Sequence, residues 1–116
     1  MSNETTITFE QANAIRKSCR EKIVLAASLD ALYANKHFKM FMDEYLEKEP
    51  ARLVHLLGDA SINLGDRKEA LRNDIQERMI GIARMKEYMR NVYRMAEQAQ
   101  KTLEDLDKAE VAEIAE

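Results

Sequence analysis

Tryptophan is absent from this chain, and helix breakers are scarce: one proline and three glycines in 116 residues. A sheet protein needs many tight turns, and so few residues able to make them argue for long helices instead. The single cysteine, Cys19, cannot close a disulfide within the chain. It stands between Ile15 and Ile23 at a core-like spacing, so it reads as a buried structural thiol. The only histidines, His37 and His55, fall on separate predicted helices with no Cys or His at ligand spacing, so no metal site is expected. No apolar run approaches the length of a bilayer span, and the polar start from Met1 to Thr6 lacks the basic and apolar regions of a secretory signal. These absences point to a soluble, cytoplasmic protein with no membrane partner.

Catalytic signatures are missing as well. There is no Gly-x-Ser-x-Gly turn to hold a nucleophile, and the glycines are too scattered to cradle a phosphate. The carboxylates sit within a turn of bases, as Glu87 does with Arg90 and Arg94, which is how solvated helix faces are built. No enzymatic activity and no cofactor are expected.

What is present is helical periodicity. Hydrophobic residues make up 46% of the chain and charged residues 34%, enough for a modest single core with a solvated exterior. One pattern runs from Asp66 to about Leu106, opening on Asp66 as N-cap with Glu69 three residues on. From Ile82 onward, apolar or small residues alternate three and four apart: Ile82, Met85, Met89, Val92, Ala96, Ala99, Leu103 and Leu106. Tyr88, Tyr93 and Met95 widen this face beyond a two-residue seam. Some forty residues at about 1.5 Å each span roughly 60 Å, longer than a compact domain of this size is wide, so part of the helix is expected to project and to be covered by another molecule.

Three shorter helices are expected before it. Thr8 caps the first, from Phe9 to about Ala34, with Ala12, Ile15, Cys19, Ile23, Ala26, Leu29 and Leu32 or Tyr33 along one face. Within it, Ile23 to Ala27 is apolar on all sides and belongs either at the centre of the fold or against another subunit. Asn35 stops that helix and caps a second of about thirteen residues with Phe38, Phe41, Met42, Tyr45 and Leu46 as its apolar stripe. Pro50 predicts a bend at Lys48 to Pro50 and a third helix, Ala51 to Leu57, that ends at Gly58. Asp59 to Gly65 reads as a connecting loop with Ile62 and Leu64 tucked beneath it. Gly81 marks either a close helix crossing or a slight bend. The expected fold is all-α: three shorter helices packed on one long C-terminal helix, a bundle with a projecting coiled-coil-like segment. A flexible arm at 1–8, one domain at 9–106 and a frayed acidic tail at 107–116 complete it.

Two features can carry binding. Lys86, Arg90 and Arg94 recur every four residues along the long helix. They read either as a face for phosphates or an acidic surface, or as a solvated face laced with Glu87 and Glu97. Of the seven methionines, Met42, Met79, Met85, Met89 and Met95 sit at apolar spacing, either as core filling or as an adaptable subunit surface. The net charge of −3 is uneven, with nine basic and five acidic residues from Arg67 to Lys101, then one basic and six acidic residues to the end. That acidic end disfavours nonspecific nucleic-acid binding by the whole chain.

The run Leu29-Asp30-Ala31-Leu32, then Asn35 to Lys39, Tyr45-Leu46 and Glu49 to Leu57 resembles small helical proteins encoded by tailed bacteriophages. Ile80-Gly81-Ile82-Ala83 with Tyr88, and Ala96-Glu97-Gln98-Ala99, are similar to the second half of such proteins. Ala60 stands where that family often carries proline. The resemblance covers roughly Leu29 to Gln100 and implies a phage setting near the head and packaging genes, in the host cytoplasm or in the virion. With it, the expected function is a non-enzymatic structural or assembly protein whose partner is a second copy or another phage protein. Its contact seam is Ile82, Met85, Met89, Val92, Ala96, Ala99 and Leu103. The alternatives are a small-terminase-like packaging component holding nucleic acid through Lys86, Arg90 and Arg94, and an inhibitor of a host protein.

Overall fold

A computed structural model describes the backbone of residues 7–115 and the side chains of residues 7–110. Among the described residues all regular structure is helical: α1 (Phe9–Ala34), α2 (Lys36–Asp43), a π-helical turn (Glu44–Lys48), α3 (Glu49–Leu57), α4 (Ala60–Asn63) and α5 (Lys68–Ala115). The all-α class, with one long final helix packed against shorter ones, is as expected.

Capping chemistry sets most of the boundaries. The Gln11 N–H donates to Thr8 Oγ1 (3.1 Å) and the Thr8 N–H to Gln11 Oε1 (2.9 Å), so each satisfies a free amide at the start of α1. Asn35 Oδ1 accepts from the N–H groups of His37 (2.9 Å) and Phe38 (3.0 Å), separating α1 from α2 with a single residue. Pro50 does not end the second helix. It has no N–H to donate, and its ring would strike the carbonyl four residues back in an ordinary α-helix. The chain widens just upstream instead, with the Glu49 N–H reaching the Glu44 carbonyl five residues back. Where a bend is expected, α2, the π turn and α3 therefore follow one another without a break.

Two further expectations are corrected. Asp59 to Gly65 is not all loop: the Asp59 carboxylate accepts from the Ser61 N–H and hydroxyl, both at 2.7 Å, and caps the single helical turn of α4. Ile62 packs under it, but Leu64 is almost fully exposed. The last helix opens at Lys68, one residue later than Asp66 as N-cap implies, from a turn closed by the Lys68 N–H on the Gly65 carbonyl (3.3 Å). At its other end α5 continues past Leu106 to Ala115. The apolar seam does fail there, but Glu110, in the next seam position, pairs with Arg16, and Asp107 lies 3.9 Å from the same guanidinium. Charge takes over where apolar packing stops. The side chains of 111–116 and the arm at 1–6 lie outside the described residues.

The single domain expected at 9–106 resolves into two compact units, because α1 and α5 are long enough to contribute to both. One unit is Asp30–Arg90. Its core is Met42, Leu46, Leu53, Ile75 and Ile82, with Tyr33, Phe38, Leu56, Leu57, Ile62, Met79 and Met89 packed against it. Tyr33 sets its ring edge-on to Phe38 (centroids 5.3 Å apart) and its hydroxyl toward Met89 Sδ (4.0 Å). Asn63 Nδ2 donates to the Leu57 carbonyl (2.8 Å) and Asn63 Oδ1 accepts from the Arg72 guanidinium, which satisfies the end of α3 and ties it to the start of α5. The other unit joins the stretch up to Leu29 with the stretch from Asn91 onward. Cys19 and Ala26 are buried on the α1 side, Val92 and Ala99 on the α5 side. The start of α1 meets the end of α5 through Arg16, as in an antiparallel pair.

Replacing Leu53, 1% exposed, by alanine is expected to cost about 2–5 kcal/mol in urea unfolding, the range for deleting a packed leucine. The Asp59 carboxyl sits below its ordinary range because the Ser61 hydroxyl and then the Ser61 N–H bond its ionised form. A depressed folded pKa means that the cap's contribution is present above the ordinary Asp range and is lost as pH falls through the folded value. A carboxyl NMR titration should show the Asp59 midpoint moving up in Ser61→Ala.

Candidate helix-docking surfaces

The seam read from spacing does not lie open to a partner. Ile82 belongs to the core of the Asp30–Arg90 unit, with Met89 half-buried against it. Val92 and Ala99 are buried in the other unit, and Ala96 and Leu103 are half-buried. Threes and fours mark a face that will be covered without saying by whom, and here the cover comes from this chain's own helices. The assignment of these residues as an intermolecular seam is corrected accordingly. Met85 differs from the rest: 41% of it is exposed.

Other apolar side chains face outward instead. On α2 and the π turn, Met40 (61% exposed), Phe41 (67%) and Tyr45 project from within six residues of one another. The predicted stripe on that helix, Phe38, Phe41, Met42, Tyr45 and Leu46, splits: Met42 and Leu46 enter the core, Phe38 is half-buried, and Phe41 and Tyr45 stay outside. The signal was present in the sequence as a stripe too wide for a single neighbour to cover. On α5, Ile80, Met85 and Tyr88 (60% exposed) are outward. On α1, Val24 and Leu25 are exposed while Ala26 is buried, so that apolar patch is divided between the interior and the surface. Val24, Leu25 and Ser28 with Lys17, Arg20 and Glu21 line an open depression of about 430 Å³. All six come from one face of one helix, so nothing closes it into a ligand cavity.

The basic stripe carries partners of its own. Lys86 Nζ is 3.4 Å from Glu47 Oε1, Arg90 Nη1 is 4.0 Å from Glu87 Oε2, and Arg94 donates to Asn91 Oδ1 at 3.0 Å. Of the two acidic residues expected to lace that face, Glu87 reaches Arg90, while Lys86 turns to Glu47 instead. Among the described residues no three His, Cys, Asp or Glu side chains are placed to hold a metal ion, and no helix is long and apolar enough to cross a membrane. Cys19 is buried and free. Burial, and after it the Asp43 and Glu47 carboxylates, push the Tyr33 hydroxyl above its ordinary pKa, so it stays a neutral phenol at physiological pH.

Comparison with protein-family models, with curated proteins and with solved structures found no match. The outward apolar side chains are thus the feature of the molecule that calls for a functional account.

Lys86 and Glu47 are 31% and 68% exposed in their side chains, and pairs open to solvent contribute little. A double-mutant cycle across Lys86→Met and Glu47→Gln is expected to give a coupling under about 1 kcal/mol in chemical denaturation.

Proposed function

We propose that this chain is a non-enzymatic structural or assembly protein of a tailed bacteriophage, acting by docking exposed helix faces against another copy or another phage protein. The observation that carries the reading is the outward cluster Met40, Phe41 and Tyr45. Each such side chain is worth about 1.5–3 kcal/mol when taken fully out of water. A helix that offers three of them within two turns has a contact to make. The phage setting is supported by the sequence resemblance over Leu29 to Gln100, and the non-enzymatic reading rests on a sequence with no nucleophile turn and no phosphate-cradling loop.

Light scattering behind a sizing column, at low and high salt with the 260/280 nm absorbance ratio followed across the peak, tests this reading. Discrete association free of nucleic acid is the expected result. Met40→Glu with Phe41→Glu is expected to reduce association with the phage partner or between copies. Both side chains are exposed, so folding stability should shift by no more than about 0.5 kcal/mol per site. Nucleic acid that co-elutes at low salt, and is lost in Arg90→Gln with Arg94→Gln, would overturn the reading in favour of a packaging component.

A further inference from the structure

Resting on the reading that the chain works through helix contact, we propose that the face of α5 centred on Gly81 docks a second copy of this chain, the two α5 helices antiparallel and crossing at Gly81. Glycine is unfavourable in the middle of a helix. A Cβ built at Gly81 would meet nothing within 4 Å, so no crossing inside the chain requires its absence, and α5 runs through it unbroken. Met85 and Tyr88, four and seven residues on, fall on the same face and are exposed. The bare backbone thus continues into an apolar strip, with room at its head for a second helix to come close.

Charge identifies the occupant. At about 100° per residue, Glu77 and Arg84 lie about 40° and 60° round from Gly81 toward the same flank, about 6 Å before it and about 4.5 Å after it along the axis. Seven residues apart on one helix, they are too distant to pair with each other. Neither makes a hydrogen bond or ion pair among the described residues. A two-fold axis through the crossing reverses height along the helix and preserves the flank. It brings Glu77 of each copy level with Arg84 of the other to within about 1.5 Å of rise. Two ion pairs form together, which is the self-complementarity an isologous contact needs. Asp74, bonded to Arg78 at 3.0 Å, comes level with the other copy's Tyr88, whose hydroxyl can donate to it. An unrelated helix would have to carry both charges at this separation and in reverse order; the same helix, turned round, already does.

Sedimentation velocity of the full chain across the micromolar range tests this, with circular dichroism as the control for folding. The wild type is expected to form a reversible dimer. Glu77→Arg or Arg84→Glu alone sets like charges face to face twice and should weaken the dimer at least about tenfold. The double reversal should restore it. Mixing the two single variants should give a heterodimer stronger than either homodimer, because opposite charges then face each other at both positions. Gly81→Leu, whose Cβ meets nothing inside the chain, should abolish dimerisation while helicity is kept. A wild type that stays monomeric, a dimer indifferent to both reversals, or a mixture with no heterodimer would each overturn the assignment. A dimer that ignores Glu77→Arg but is lost in Met40→Glu with Phe41→Glu would overturn it while leaving the helix-contact reading intact. A monomer that carries nucleic acid would overturn both.

Discussion

Burial of Leu53 among Met42, Leu46, Ile75 and Ile82 is the contact on which the Asp30–Arg90 unit depends. Leu46 and Leu53 stand seven residues apart, and so do Ile75 and Ile82, so each helix presents two side chains, two turns apart, to the same cluster. Pro50 falls between the two leucines. Had it broken the helix, Leu53 would have been carried off the face that Leu46 defines. The wide turn at Glu44–Lys48 absorbs the missing amide and the ring while keeping the chain helical. A local backbone irregularity is what allows the apolar face to continue, and the Glu44–Lys48 ion pair at 2.7 Å closes that turn on its solvent side.

Around this core, apolar packing and end-capping divide the task of holding the fold. No polar or charged residue is classed as buried among the described side chains, and most ion pairs lie where water screens them; Arg16, with 12% of its side chain exposed, is the one held closest to the interior. Caps at Thr8, Asn35 and Asp59 decide where helices begin, and the Asn63–Arg72 tie settles the end of α3. The core is small, however, and many large apolar side chains remain outside it. A chain with this distribution gains more from association than one whose apolar residues are already spent on its interior.

Much of the architecture was legible in the sequence because capping and periodicity are local. Thr8 with Gln11, Asn35 and Gly58 each mark boundaries that the structure keeps, and the face from Ala12 to Tyr33 is the one that α1 turns inward. The misses have a common origin in terms that local pattern does not contain. Pro50 signals a disturbed hydrogen bond but not whether the chain will bend or widen. Ser61 bonds a cap that needed the Asp59 rotamer to be seen. Glu110 looks like the end of a seam until Arg16 is placed opposite. The candidate site was less legible than the fold: spacing located the buried face of α5 correctly and attributed it to the wrong molecule. Of the side chains that remain open, Tyr88 was visible as excess width, whereas Phe41 and Met85 stood within patterns that spacing alone could not divide into covered and uncovered members.

The unit built from the two ends of the chain has a consequence for synthesis. Residues up to Leu29 are translated well before the stretch from Asn91 that completes their unit. Every residue of the Asp30–Arg90 core is in the chain once Arg90 is added, but Cys19 and Ala26 must wait for Val92 and Ala99. For that interval the inner face of α1 is as bare as its outer one. A chain interrupted before Asn91 would therefore hold every residue of one unit and leave the stretch up to Leu29 without the residues that complete the other, so a loss late in the sequence would be felt early in it.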